Sequence, residues 1–363
     1  MRKMPVQFLQ PGMRVGRAIY SADGRVLLNA GVVLRPRFIE ALKDLGISSI
    51  YIEDKDLEGV EIVEAISEST RLEATKMVRD LMEGVKNGYP VIIEAERVNR
   101  VIGNMIDELL KQHDLIVDLA DIRVTDEYTF GHSVNVCVLS LLTGITLNYS
   151  RSNLEQLGMG AILHDLGKTR VPEHILNKPG PLTPEEFSEI KKHTIDGFTL
   201  LSEQNLPPST ARVALEHHER YNGGGYPQGL KGTEIHDYAR VVGIADVYDA
   251  LTTDRVYRKA YPPNEAYELI AGSGNHAYDY QIVTAFLSNV AAYPVGTYVQ
   301  LNTGEIGIVT GTPRKKSQRP NVRILYDPCG QRMRHPHEVA LAEELSLSIT
   351  QVIPPEKLPL PQS

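Results

Sequence analysis

Apolar residues recur at helical spacing through the middle of the chain and in strand-like runs near its two ends. From Thr70 to Lys86 they fall at Ala74, Met77, Val78, Leu81, Met82 and Val85, and from Val98 to Leu110 at Val98, Val101, Ile102, Met105, Ile106 and Leu109. Both are stripes of the 3.6-residue period and predict amphipathic helices. Each stripe is expected to pack on the chain's own core, a homodimer seam being the alternative use. From about residue 115 to 292, helical patterns follow one another with short polar breaks, which predicts an all-α central domain. Before it, Ala18 to Leu28 carries an Asp23-Gly24 hairpin signal, Phe38 to Leu45 is a short helix closed by Gly46, and Ser48 to Ile52 is a strand. After Pro294, VGTYVQL, GEIGIVTG and NVRILYD are strand-like and separated by turn residues. The terminal PPEKLPLPQS is too rich in proline for a core element. The expected division is a small α+β module (1–60), a helical linker (61–121), a helical domain (122–292), a β appendage (293–345) and a flexible tail (346–363), mainly α in class.

Composition narrows the function more than the fold. At 363 residues and 42% hydrophobic content, the chain has material for two or three cores. It has no run of about 18 apolar residues, and its first residues, MRKMPVQFLQPGM, lack the apolar stretch of a secretory signal. A cytoplasmic protein without membrane insertion is expected. Its two cysteines, Cys137 and Cys329, are 192 positions apart, too few for a disulfide framework or a thiolate metal site. A net charge of -8 argues against general nucleic-acid binding, which needs a concentrated basic surface. A small anionic substrate held by a few local cations stays open.

The chemistry lies in polar residues set on apolar stripes. In AILHDLGK, Leu157, Ala161 and Ile162 mark the buried side of a helix that Gly167 would end, with His164 and Asp165 at its end. Thr183 and Glu186 form a capping box with Pro184 at the first helical position. Phe187, Ile190 and Leu201 set that segment's inward face, and His193 lies three residues after Ile190. Ala211, Ala214 and Leu215 lead to His217 and His218, and Val242 and Ala245 lead to Asp246. Upstream, His132 opens the buried run SVNVCVLSLL. All these groups face one helical core. Buried without partners, they would cost a few kcal/mol each, whereas divalent ions satisfy them together. Histidine and carboxylate without thiolate suit Fe, Mn, Zn, Co or Ni. The ligands exceed one ion's needs, and a carboxylate such as Asp165 can bridge two, an arrangement suited to in-line attack at phosphorus. Lys168, Arg255 and Arg258 stand next to these ligands in sequence and are of the type that contacts phosphate. In HHERYNGGGYPQGL, residues 217–230, three glycines precede Tyr226 and Pro227 and allow close backbone approach to a ligand.

Taken in order, HDLGK, KPGPLTPEEFSEIKKHTIDG, HHERYNGGGYPQGL and ADVYDALTTDRVYRKAY resemble the HD-GYP family, a branch of the HD phosphohydrolases, over roughly residues 122–275. The resemblance implies hydrolysis of cyclic di-GMP to linear pGpG, in some members onward to GMP, at a binuclear or trinuclear metal centre. It implies metal ligands at His132, His164, Asp165, His193, His217, His218 and Asp246, with Asp165 bridging. Lys168, Arg255 and Arg258 match phosphate-contacting positions, and the GYP element is Gly225, Tyr226 and Pro227. Asn222 and Gly224 depart from the commoner acidic and serine forms. Trinuclear members place a glutamate one helical turn before the first metal histidine. Here that position is Tyr128, with Glu127 one residue off and so turned by about 100° around a helix. A binuclear centre holding Fe or Mn, with Zn, Co and Ni also admitted, is therefore expected, with pGpG as the main product.

The implied reaction is in-line attack by a metal-bridged water or hydroxide. Asp165 holds the ions, Lys168 and Arg258 neutralise phosphoryl charge, and Arg255 orients the diester. Three alternatives compete. One is the same chemistry on another cyclic dinucleotide such as 3',3'-cGAMP. Another is a different HD phosphohydrolase activity, on a nucleotide monophosphate or guanosine tetraphosphate. The last is a module that senses the dinucleotide, or docks a diguanylate cyclase, without turnover.

Overall fold

The computed structural model describes residues 1–21, 25–47, 49–60, 64–87, 92–112, 128–253, 260–314, 316–354 and 357. The described chain divides into two compact units, one joining Met1–Glu64 to Val290–Ser363, the other joining Ala65–His113 to Tyr128–Asn289.

The first unit opens with β1 (Arg2–Pro5), β2 (Ile19–Tyr20), β3 (Val26–Leu28), α1 (Pro36–Asp44) and β4 (Ser49–Ile52). β1 pairs antiparallel with β4, and β2 with β3. The Asp23-Gly24 turn expected between β2 and β3 lies outside the described residues. Val15, Leu34, Leu42 and Ile50 are among the buried residues of this module's core.

The second unit is helical. It contains α2 (Glu68–Lys86), α3 (Ala95–Lys111), α4 (Tyr128–Thr146), α5 (Arg151–Leu163), α6 (Glu173–Leu176), α7 (Pro184–Lys191), α8 (His193–Ser202), α9 (Pro208–Glu216), α10 (Asp237–Thr252), α11 (Pro263–Ala271) and α12 (Tyr280–Leu287). Ser67 starts α2 by accepting the Thr70 N–H on its hydroxyl, and the expected capping box of Thr183 and Glu186 starts α7. α4 is the centre: Val134, Val136, Cys137, Val138, Leu139 and Leu141 are all buried, as expected of a helix apolar on every side. α5, α10, α12 and α2 pack around it. The stripe of α3 is wholly buried, from Val98 to Leu109, and α3 packs on α5. Both early helices thus serve the core of their own unit, and the segment expected to be a linker contributes to the helical domain. Burying one such side chain contributes about 1.5–3 kcal/mol, which draws a periodic helix onto any matching face nearby.

The first unit is completed by β5 (Tyr298–Leu301), β6 (Ile306–Gly311), β7 (Asn321–Tyr326), β8 (Arg332–Ala340) and β9 (Ile349–Val352), an antiparallel sheet ordered β8-β7-β6-β5-β9. Two of these strands escaped the hydrophobic pattern because they are the sheet's edges, where polar residues and proline are tolerated. β8 is mostly exposed and carries Pro336. β9 falls in the stretch expected to be a loose tail. Leu57 of the N-terminal module joins Tyr298, Ile308, Leu325, Tyr326 and Ile353 in one core. Around it, Asp56 accepts from the Tyr298 hydroxyl at 3.0 Å and from Arg332 at 2.5 Å. Among the described residues no helix is long and apolar enough to cross a membrane.

Candidate metal centre

All seven expected ligands meet in the helical unit. His132 comes from the first turns of α4, Asp246 from the middle of α10, and the rest from helix ends: His164 and Asp165 after α5, His193 opening α8, His217 and His218 after α9. Six are buried, and the His218 side chain is 15% exposed. The helix ends explain the ring orientations. The last carbonyls of a helix have no partner within it, and three of them accept from a histidine Nδ1: Ala161 from His164 at 2.7 Å, Ile190 from His193 at 2.6 Å, and Ala214 from His217 at 3.0 Å. A carbonyl can only accept, so each Nδ1 carries the proton and each Nε2 presents its lone pair to the interior, the orientation metal-ligating histidines adopt. His132 uses a carboxylate instead. Its Nδ1 meets Asp249 Oδ2 at 2.7 Å, and Asn135 donates to Asp249 Oδ1 at 2.8 Å.

Asp165 stands between two sets of imidazoles. Its Oδ1 lies 3.6 Å from His193 Nε2 and 3.8 Å from His217 Nε2, and its Oδ2 lies 3.4 Å from His164 Nε2 and 3.7 Å from His132 Nε2. Asp246 reaches His132 Nε2 at 3.1 Å through one oxygen and His218 Nδ1 at 3.6 Å through the other. Donor atoms fall into the groups His193, His217, His218 and His132, His164, Asp246, with His164, Asp165, His217 between them, each group within 4.8 Å. His164 Nε2 and Asp165 Oδ1 are buried without a hydrogen-bond partner. Leaving such atoms bare costs free energy that a divalent cation would recover, and nitrogen–oxygen donors of this kind suit first-row ions. The residues fit divalent metal.

The protonation states agree with this for most of the cluster. Burial holds His193 down to about 4 and His217 down to about 3, with neighbouring cations and imidazoles adding to it; burial likewise keeps His218 well below its usual range. These rings are neutral at pH 7, the form that binds metal. Burial works against the charged form of His132 too, but hydrogen bonds to Asp246 and Asp249 outweigh it and raise its pKa to about 9. Burial would raise Asp165 and Asp246, yet His164 and Lys168 around the first and His132 and His218 around the second hold both well below the carboxylate range.

Lys168 lies in the 3-10 turn Leu166–Arg170 and bonds Asp165 Oδ2 at 2.5 Å, its side chain 22% exposed. Gly167 does not simply end a helix. A Cβ there would fall 2.0 Å from the His193 carbonyl oxygen, so only glycine lets the HDLGK turn lie against the start of α8. In the 217–230 loop, a Cβ on Gly225 would lie 2.3–2.5 Å from the Glu219 and Arg220 backbone. That glycine permits packing of the loop on itself. The Tyr226 ring lies over His218 at 4.8 Å, and Pro227 follows it. Arg255, Arg258 and the Glu127 and Tyr128 side chains lie outside the described residues.

Two carboxylates near the site were not anticipated. Asp249 orients His132, and its position three residues after Asp246 on α10 was a usable signal, since residues so spaced share a helix face. Glu219 is buried and accepts from the backbone N–H groups of Gln228, Gly229 and Leu230 at 2.7, 3.1 and 3.0 Å. No local pattern marked it. Phe187 was expected to face inward and is 45% exposed; none of α7 is buried. Its apolar period spans too few residues to require a core partner.

Comparison with known proteins bears on the same region. An HD domain model matches residues 118–282, and a model of the KOW domain associated with the HD domain matches residues 298–360. A cyclic di-GMP phosphodiesterase of Pseudomonas aeruginosa is 34% identical over 235 residues, 64% of this chain and 56% of that protein. One of Thermotoga maritima is 38% identical over 183 residues, 50% of this chain and 49% of that protein. The 3'3'-cGAMP-specific phosphodiesterase 3 of Vibrio cholerae is 30% identical over 296 residues, 80% of this chain and 62% of that protein. The chain thus spans about half to three fifths of the length of these relatives. In fold it is similar to an HDG"Y"P protein from Bdellovibrio bacteriovorus, with a TM-score of 0.51, 19% identity, and coverage of 78% of this chain and 97% of the other. The ordered motifs, the converging imidazoles and carboxylates and these likenesses all fall on one stretch, so residues 118–282 form an HD domain similar to those of cyclic dinucleotide phosphodiesterases, and residues 298–360 match the KOW domain associated with it.

Proposed function

We propose that this chain is a phosphodiesterase that hydrolyses cyclic di-GMP to linear pGpG at a binuclear metal centre. The observation that carries the reading is the grouping of donors on either side of Asp165, whose two oxygens face different imidazoles. His193, His217 and His218 would hold one ion, His132, His164 and Asp246 the other, and Asp165 would be shared. When bound, such ions, Fe or Mn before Zn, Co or Ni, lower the pKa of water and offset charge at a phosphoryl oxygen. The remaining roles belong to the protein. The carbonyls of Ala161, Ile190 and Ala214 keep the Nε2 atoms aimed inward, and burial keeps most of the imidazoles unprotonated. Lys168, at the rim of the cluster, supplies a cation for the phosphodiester, and Arg255 and Arg258 are assigned the same duty by their place in the motif. Tyr226 covers His218, and Gly225 and Pro227, which flank it in the motif, are assigned to the substrate side with it. The 3′ oxygen of one guanosine is the leaving group. Two ions rather than three is the reading because tyrosine stands at position 128.

The sequence likeness to the 3'3'-cGAMP-specific enzyme covers more of this chain than the other two relatives do, so 3',3'-cGAMP is the second substrate to try. The test is anaerobic purification, metal analysis and chromatography of products, with the His164→Ala, Asp165→Ala double variant alongside. About two metals per chain and pGpG from the wild type alone support the reading. A metal-loaded protein inert toward both dinucleotides overturns it in favour of a sensor or docking module.

A further inference from the structure

A single exposed phenylalanine on a helix needs no explanation, but Phe187 is not isolated. Its ring meets the Tyr226 ring edge-on, centroids 6.2 Å apart at 81°. Tyr226 lies over His218 at 4.8 Å and 32°, and His218 approaches Asp246 at 3.6 Å. Two ring contacts therefore lead from the metal-ligand cluster to solvent. The ammonium of Lys191, one helical turn after Phe187, sits 5.2 Å from the Phe187 centroid and 5.9 Å from that of Tyr226. Among the described residues Lys191 forms no ion pair. α7 carries this aromatic and this cation on a helix that buries nothing, so the helix contributes little to the core and this pair can serve a ligand.

We propose that Phe187 and Lys191 form a purine subsite at the mouth of the centre, Phe187 stacking on the base and Lys191 donating to its major-groove edge. The inference rests on the reading that a nucleotide phosphate occupies the cluster. An aromatic ring supplies stacking that any base accepts. A lysine discriminates, because guanine presents two acceptors, O6 and N7, where adenine presents one acceptor and an amino donor. The subsite thus takes guanine in preference to adenine, and each candidate dinucleotide carries a guanine that it can accept. A base held there is anchored one ring beyond His218, across Tyr226, with its phosphate directed toward the candidate ligands.

The test uses the full-length, metal-loaded protein and equilibrium binding of GMP, AMP and inorganic phosphate. Phe187→Ala is expected to weaken GMP and AMP by about tenfold and to leave phosphate binding and metal content unchanged. Lys191→Met is expected to weaken GMP about fivefold or more with little effect on AMP. The chain has no tryptophan, so Phe187→Trp provides a single indole that can be excited apart from the tyrosines, and GMP should quench it where phosphate does not. Unchanged GMP affinity in Phe187→Ala, or equal losses for GMP and phosphate, overturns the subsite. Because these equilibria need no turnover, the two readings fail separately. A protein that binds GMP through Phe187 but hydrolyses no dinucleotide overturns the proposed function alone. Cyclic di-GMP turnover indifferent to both substitutions overturns the subsite alone.

Discussion

Unlike His164, His193 and His217, which rest Nδ1 on backbone carbonyls, His132 rests it on a carboxylate. A carbonyl orients an imidazole; a carboxylate also makes it more basic. Asp249→Asn is therefore expected to lower metal affinity by about 10–100-fold without unfolding the helical unit, as measured by metal retention after dialysis and by circular dichroism. Retention equal to the wild type's would show that Asp249 does not hold the ring. The same imidazoles set a pH dependence for the metal-free protein. An unfolded histidine titrates near 6.5, whereas His193 and His217 are held at about 4 and about 3. Below pH ~6.5 the unfolded chain binds more protons than the folded one, so stability is lost as pH falls from there toward 4. His132, raised to about 9, acts in the opposite sense: its contribution is full below the unfolded value and is lost as pH rises through 9. Melting in the presence of chelator should thus be highest near pH ~6.5 and lower on both sides, and a flat profile from pH 5 to 9 would refute these environments.

At the scale of elements, the positions of the candidate ligands depend on how closely backbones approach. Gly167 lets the HDLGK turn lie on the first turn of α8, where its absent Cβ would meet the His193 carbonyl and the Gly197 nitrogen. Neither is a side chain that can swing aside. Gly167→Ala should destabilise by about 1–3 kcal/mol or more in denaturant unfolding and should reduce metal content, because the displaced segment carries His193. Wild-type stability would mean that the turn and α8 can separate without cost. Glu219 performs the corresponding task in the 217–230 loop, gathering three N–H groups on one buried carboxylate. Hydrogen bonds to a charged acceptor are worth about 1.5–3 kcal/mol each in favourable cases. Glu219→Gln is expected to loosen Tyr226 and raise KM more than it lowers kcat for whichever dinucleotide is turned over. An equal fall in kcat at constant KM would place Glu219's effect on the reacting centre instead.

Over the whole molecule, the first unit is assembled from the two ends of the chain. Leu57 lies in the core of the five-stranded sheet, and Asp56 holds Tyr298 from 242 residues away. Arg323 reinforces the junction by donating to the carbonyls of Asp56 and Glu58 at 2.9 and 3.1 Å. Tyr298→Ala would empty part of that core at a cost of about 3–5 kcal/mol. It should raise hydrogen exchange near Leu57 together with exchange in β5 and β6. Faster exchange confined to the sheet would indicate that the N-terminal module stands without it.

Local features of the sequence determined the helices and most of the candidate ligand set. His164, His217 and Asp246 each extend or end an apolar stripe, and a residue's place on a stripe depends only on near neighbours and a fixed helical period. The capping box at Thr183 and the strands after Pro294 were legible for the same reason. What tertiary structure decided involves contacts between residues far apart in sequence: Asp249 across to His132, 117 positions away, Glu219 back to its own loop, and Asp56 to Tyr298. Edge strands such as β8 and β9 also belong here, because a strand with one side in solvent needs no apolar period, only a partner. Phe187 shows the limit in the other direction, since a helical period states which residues share a face and leaves to the fold whether that face meets a core, as α3 does, or stays open to solvent, as that of α7 does.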